Sequence, residues 1–236
     1  VKANINLLGI RNSITIGAVN FAYIFLLPLR YQTAAGMSPL QAGIRLIPFA
    51  VSGAVGAALC AVVCKNHRVA PVYPGLVGGI LQIIALAFLS RSDLYDADWP
   101  GLLGLEVVIG IGYGLCLGTT SLLNPAVVEK RDMAISSATL TQFRFLGGVL
   151  TVSIGTAVGN TRVRDAVEGI LSPEQILGLF TSVQTTIASL PNDIQSLVRK
   201  QFVESFNLQI NILLGFAVAS VLTTLLFWKK PQITVP

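Results

Sequence analysis

From Trp99 to Val128 the chain runs for thirty residues with a single formal charge, Glu106. At 1.5 Å rise per residue, about 20 apolar residues cross the hydrocarbon core of a bilayer, so this stretch is long enough to span one. Within it Gly110, Gly114 and Gly118 recur at every fourth position and stack on one helix face. In a soluble helix each such glycine costs roughly 1 kcal/mol. In lipid a small-xxx-small stripe instead lets a second helix backbone come close, and packing replaces the absent hydrophobic drive. The run Gly110-Ile111-Gly112-Tyr113-Gly114 also has the look of a dinucleotide loop. That loop needs a strand before it, a helix opening at it and an acid about 20 residues on, whereas these glycines sit in mid-span.

Composition extends this reading to the whole chain. Hydrophobic residues make up 53% and charged residues 11% of 236, with mean hydropathy +0.72. Soluble domains carry about 25% charged residues, so the deficit points to a membrane protein. The chain opens on Val1 and has no leader pattern, which reads as a fragment or a processed chain. Cys60, Cys64 and Cys116 fall inside apolar stretches and read as small buried hydrophobes; with one distant histidine they make no metal set. No cofactor is expected.

Six spans are expected, at about 13–31, 40–64, 69–89, 100–123, 134–158 and 206–227, with an extracellular connection at 159–205. Ser38-Pro39 opens the second as a cap followed by a first-turn proline, and Trp228-Lys229-Lys230-Pro231 closes the last as an interface anchor and helix stop. Alternate connections and ends carry Lys2, Arg11, Lys65, Arg68, Lys130, Arg131, Lys229 and Lys230. The other side has Arg30 and Arg91 against Asp93, Asp96 and Asp98. By the positive-inside rule both ends are cytoplasmic. The net charge of +5 is thus topological rather than a nucleic-acid footprint, and His67 is a solvated turn residue.

The connection at 159–205 is too long to be a plain turn. Ser172-Pro173-Glu174-Gln175 reads as a capping box, followed by Ile176, Leu179, Phe180, Val183 and Ile187 at helical spacing. After Pro191, the residues Ile194, Leu197, Val198 and Phe202 repeat the pattern. Two extracellular amphipathic helices are expected.

Charges at membrane depth are costly and face a bundle interior or a cavity. Arg144 lies about ten residues into the fifth span, near the midplane. Arg45 sits one turn into the second, where it either anchors the interface or pairs with an acid. Glu106 is about two turns below the outer face; low dielectric disfavours the charged form of a carboxyl, the property a proton carrier needs. Asn20, Tyr31, Gln32, Tyr113 and Gln142 add uncharged polar groups in or beside the spans. Together these eight residues are the candidates for substrate binding or proton coupling. No H-E-x-x-H, G-x-S-x-G or Walker A pattern is present, so no enzyme constellation is expected.

Tyr31-Gln32 followed by Gly36-Met37-Ser38-Pro39-Leu40-Gln41-Ala42-Gly43-Ile44-Arg45-Leu46-Ile47-Pro48 resembles the major facilitator superfamily, most of all its fourteen-helix drug:proton antiporter branch of fungal multidrug and toxin efflux pumps. Gln142-Phe143-Arg144-Phe145-Leu146-Gly147-Gly148 is similar to that branch's motif near the penultimate helix, and Leu8-Gly9-Ile10-Arg11-Asn12 to the start of its later half. The resemblance implies an all-α membrane fold: the last six helices, arranged as two inverted three-helix repeats, of a transporter whose amino-terminal half is missing and shares the substrate site. Lys65–Arg68 departs from the superfamily's basic loop in lacking the Gly-x-x-x-Asp part. The implied activity is proton-coupled efflux of amphipathic organic compounds across the plasma membrane, the partners being a small-molecule substrate, protons and the lipid bilayer. The alternatives are an importer of a nutrient or siderophore on the same fold, and a non-transporting remnant or scaffold.

Overall fold

The computed structural model describes residues 2–33, 35–91 and 100–228. Among them the chain forms helices α1 (Lys2–Thr33), α2 (Pro39–Arg45), α3 (Ile47–Asn66), α4 (Val72–Arg91), α5 (Pro100–Val127), α6 (Met133–Val167), α7 (Pro173–Thr181), α8 (Val183–Ala188) and α9 (Asn192–Leu225), with a 3₁₀ turn at Lys130–Asp132 before α6. Five stretches, Leu8–Thr33, Pro39–Asn66, Val72–Arg91, Gly101–Ala126 and Asn192–Leu225, are long and apolar enough to cross a membrane. The protein is an all-α membrane protein. The expected fifth span lies in α6, a 35-residue helix that packs along α1 and α9 and is more polar than the others. Asp93, Asp96, Asp98, Lys229 and Lys230, part of the orientation argument, lie outside the described residues.

The neighbours repeat in a pattern of three. Helix α1 packs on α6 as α5 packs on α3; α4 packs on α5 as α9 packs on α1; and α4 meets α9. Exchanging α1, α3, α4 with α5, α6, α9 maps these contacts onto themselves, while the packing of α6 on α9 has no counterpart between α3 and α4. Small residues bring the pairs together. A Cβ on Gly114 would overlap the backbone of Gly53 and Ala57 on α3, and one on Gly118 would come within 2.7 Å of the Cys60 Cβ. On the equivalent pair, a Cβ on Gly17 of α1 would overlap the Arg144 carbonyl, and one on Gly147 of α6 the Ile14 carbonyl. The glycine stripe is therefore a packing surface.

Three expectations change. The stretch at 40–64 is two helices, because Pro48 lacks the N–H that would bond to the carbonyl one turn back, and the ladder breaks at Leu46. Ser38 caps α2 through a capping box with Gln41, its Oγ accepting from the Gln41 N–H at 3.3 Å. The connection at 159–205 is shorter than it reads, since α6 runs on to Val167 and α9 already begins at Asn192. The amphipathic segment after Pro191 is thus the opening of α9 and not a separate helix: no proline or glycine interrupts the chain before Gly215. The capping box at Ser172 does open its own helix, α7. Val167, Leu171, Leu179, Ile187, Leu190 and Val198 close a small second core between α7, α8 and the two extended helices. Arg162 and Glu204 pair across those extensions at 3.5 Å.

Candidate functional site

Helix α1 is the central element of the main core, burying Val19, Ala22, Tyr23, Leu26, Leu27 and Tyr31. Its last turns carry the polar groups that matter. Tyr31 is 1% exposed, and its hydroxyl donates to Oε1 of Glu106 on α5 at 2.5 Å, within the range of charge-assisted O–H···O bonds. Glu106 is fully buried, and its Oε2 has no hydrogen-bond partner among the described residues. Arg45, the last residue of α2, stands over the Tyr31 ring with its guanidinium carbon 5.4 Å from the centroid. The break at Leu46 ends α2 directly after Arg45, so the loop entering the second span brings this cation back onto α1.

Two residues that the sequence reading left out complete this end of the bundle. Arg30, expected on a connection, is inside α1 and only 5% exposed, its guanidinium carbon 4.6 Å from the centre of the Phe206 ring of α9. Tyr23 is fully buried with an unpartnered hydroxyl, inside the electrostatic field of Glu106, Tyr31 and Arg30. Arg30 was legible only as a cation beside Tyr31; what hides it is the extension of α1 to Thr33, past the expected end at 31.

A second polar group lies deeper. From Tyr23 the ring of Phe49 on α3 is 5.0 Å away, and 6.2 Å beyond it stands Tyr113 of α5, two turns along from Glu106. Arg144 of α6 is half-buried, and its backbone carbonyl meets α1 at Gly17. Arg144 shares its helix face with the buried Leu140, Gly147, Gly148 and Thr151, and its Nε has no hydrogen-bond partner among the described residues. Its neighbour Phe145 stacks on Phe21 of α1 at 4.7 Å.

The other candidates separate from these two groups. Gln142 lies about 200° round α6 from Arg144 and is exposed, so the two do not share a cavity wall. Gln32 lines a crevice with Leu29, Thr33, Ser182 and Val183, between the end of α1 and α8. Asn20 is buried in α1 with an unpartnered Oδ1. At the far end of α1 the Asn12 Oδ1 accepts from Thr223 at 3.1 Å and from Thr224 at 3.4 Å, tying α1 to α9. Near it a cavity of about 480 Å³ opens between α5 and α6, lined by Gly9, Thr120, Asn124, Asp132 and Ser136 among others.

The arrangement separates acid from base: a buried carboxyl locked to a tyrosine between α1 and α5, and a half-buried guanidinium on α6. Comparison with known proteins gives its context. The chain is 27% identical over 225 residues to the MFS-type transporter FPY5 of Fusarium mangiferae, covering 95% of this chain and 38% of that protein. It is 29% identical over 151 residues to the aspyridones efflux protein of Neocamarosporium betae, covering 63% and 26%. With the vacuolar basic amino acid transporter 2 of Saccharomyces cerevisiae it shares 27% over 203 residues, covering 82% and 42%. The chain therefore spans less than half the length of these curated relatives. No family profile matches it.

Proposed function

We propose that this chain, a relative of the fungal MFS-type transporters and efflux pumps, works within a secondary active transporter that exports amphipathic organic compounds in exchange for protons. The observation that carries the proton part is the Glu106 carboxyl: fully buried, held by Tyr31 through one oxygen and unpartnered at the other. The carboxyl's one hydrogen-bond partner comes from another helix, and Arg45 stands over the ring of that partner, so its surroundings change when either helix moves. Tyr31 sits at the end of α1 and Arg45 at the hinge before α3, so relative movement of these helices would make or break those contacts. Substrate binding and the return of the proton would thereby be linked through the same end of the bundle.

Support for the substrate part is coarser. An efflux protein and a vacuolar basic amino acid transporter both occur among the relatives, and they favour an exporter and an organelle membrane respectively. The orientation with both ends cytoplasmic follows the basic side of the connections, and export across the plasma membrane is the reading that the efflux relatives favour. Arg30 drops out of that count, being buried in α1. In the longer relatives the remaining length would supply the opposite wall of the pathway.

The test is uptake of a labelled substrate into inverted membrane vesicles from cells expressing the full-length gene, driven by an imposed proton gradient. Glu106→Gln should abolish gradient-driven uptake and leave gradient-independent exchange in place. Wild-type uptake indifferent to the gradient, or Glu106→Gln uptake that still follows it, would overturn the proton assignment. Modification of Asn66→Cys by an impermeant reagent from outside intact cells would overturn the orientation.

A further inference from the structure

Helices α7 and α8, with the extensions of α6 and α9, form a cap that stands on two helices and touches a third. Its footing is firm. Arg162 and Glu204 pair across the extensions at 3.5 Å, and beside them the Ser205 hydroxyl donates to the Gly159 carbonyl at 3.0 Å. Leu171, Leu179 and Ile187 are packed between Val167 and Val198 of those extensions in the second core. The hold of the cap on α1 is of another kind. Ser182, Val183 and Thr185 border a crevice of about 350 Å³ with Leu29, Gln32 and Thr33 on its other side, so this face is loosely filled. Below it the Arg30 guanidinium rests on the Phe206 ring of α9, 4.6 Å from its centre. In the loop after α1, a Cβ on Gly36 would stand 3.4 Å from Nη1 of Arg199, also on α9.

These contacts fall on the stretch of α1 that carries the buried carboxyl's partner. Leu29, Arg30, Gln32 and Thr33 are met from the cap side, and Tyr31 in their midst donates to Glu106 of α5 at 2.5 Å, with Arg45 over its ring. Every one of these groups belongs to this chain. Tyr31 and Phe206 are 1% and 4% exposed within it, so their contacts do not depend on what the longer relatives add. A cation over a desolvated ring is a strong local fastening, whereas atoms that border a gap forfeit the dispersion that would hold them. The end of α1 is therefore fastened at Arg30 and free to shift beside α8. Parting Tyr31 from Glu106 requires that end to move, and the movement has to carry Arg30 off Phe206.

We propose that the cap is a latch on α1: Phe206 is a positioning residue that keeps Tyr31 on Glu106, and each transport cycle requires the latch to open. This rests on the transporter reading and names the element that controls its buried carboxyl.

The test loosens the latch and locks it, in the full-length protein. Phe206→Leu keeps an apolar side chain and removes the ring face, and Phe206→Tyr keeps the face. Leu29→Cys with Ser182→Cys, on opposite sides of the crevice, lets a short bis-methanethiosulfonate tie α1 to the cap and dithiothreitol release it. Amide exchange at 29–33 is read alongside binding and proton-driven uptake of rhodamine 6G in proteoliposomes. Phe206→Leu should quicken exchange at 29–33 about tenfold, the loss of one desolvated cation–π contact, and leave α3 and α4 unchanged. Phe206→Tyr should exchange nearly as wild type. The tied pair should lose most of its uptake with dye binding unchanged, and regain it on reduction. Unaltered exchange in Phe206→Leu, a cysteine pair that does not cross-link, or full uptake by the tied pair would overturn the latch. The cysteine pair decides the matter if Phe206→Leu does not fold. Wild-type protein that moves no dye would sink the transporter reading instead, and quickened exchange in Phe206→Leu would still uphold the grip of the cap on α1.

Discussion

Replacing Gly114 by alanine puts a methyl group where α3 already is. The new Cβ would overlap the Gly53 carbonyl oxygen, lie 2.6 Å from the Ala57 nitrogen and 2.9 Å from the Gly56 carbonyl carbon, against an ordinary contact distance of 3.4 Å or more. All three are backbone atoms in a helix and cannot turn aside, so α3 as a whole must retreat by about 1 Å. A gap of that size forfeits roughly a quarter to a half of the dispersion well for each atom pair across the α3–α5 contact. Overpacking of this kind costs about 1–3 kcal/mol, partly offset by the roughly 1 kcal/mol by which alanine favours a helix over glycine. A net loss of about 1 kcal/mol is expected, a drop of roughly 2–4 °C for a chain of this length. Gly104 and Gly215 have nothing within 4 Å of an added Cβ, so Gly104→Ala and Gly215→Ala keep only the favourable helix effect. Thermal unfolding of the three variants in detergent, followed by the monodisperse fraction on size exclusion, reads the difference. If Gly114→Ala melts with Gly104→Ala, the close approach of α3 to α5 is wrong.

Two further outcomes follow from local geometry. Asn12→Leu removes the acceptor shared by Thr223 and Thr224, but both hydroxyls retain the Ser220 carbonyl, at 2.9 and 2.8 Å, so the loss should stay near 0.6 kcal/mol, the average for such bonds in membranes; a loss above 2 kcal/mol in the same melting assay would mean those hydroxyls are left unpaired. Ser172→Ala removes one side of the capping box that opens α7 and should cost about 1 kcal/mol locally; amide exchange should quicken across α7 and leave α4 and α5 unchanged, whereas unaltered exchange in α7 would show that the small second core alone holds it.

Much of this molecule is written in local sequence. The apolar runs, the caps at Ser38 and Ser172 with proline directly after them and the four-residue glycine spacing each involve residues within a few turns of one another, so local pattern alone makes them visible. Where a helix ends is less visible. The boundary between membrane and water changes polarity without breaking the hydrogen-bond ladder, which is why α9 runs through it from Asn192 while Pro48 interrupts a more apolar span at Leu46.

Which polar groups meet was decided by the tertiary structure. Tyr31 and Glu106 are 75 residues apart and come together because α1 crosses α5 at that height. Arg144 and Gln142 are two residues apart and part company because the helix turns one inward and the other out. Arg30 reads as a surface cation until α9 brings Phe206 over it. Periodicity fixes the direction of a side chain relative to its own helix; only the packing of helices, set here by glycines touching backbone, fixes what lies in that direction.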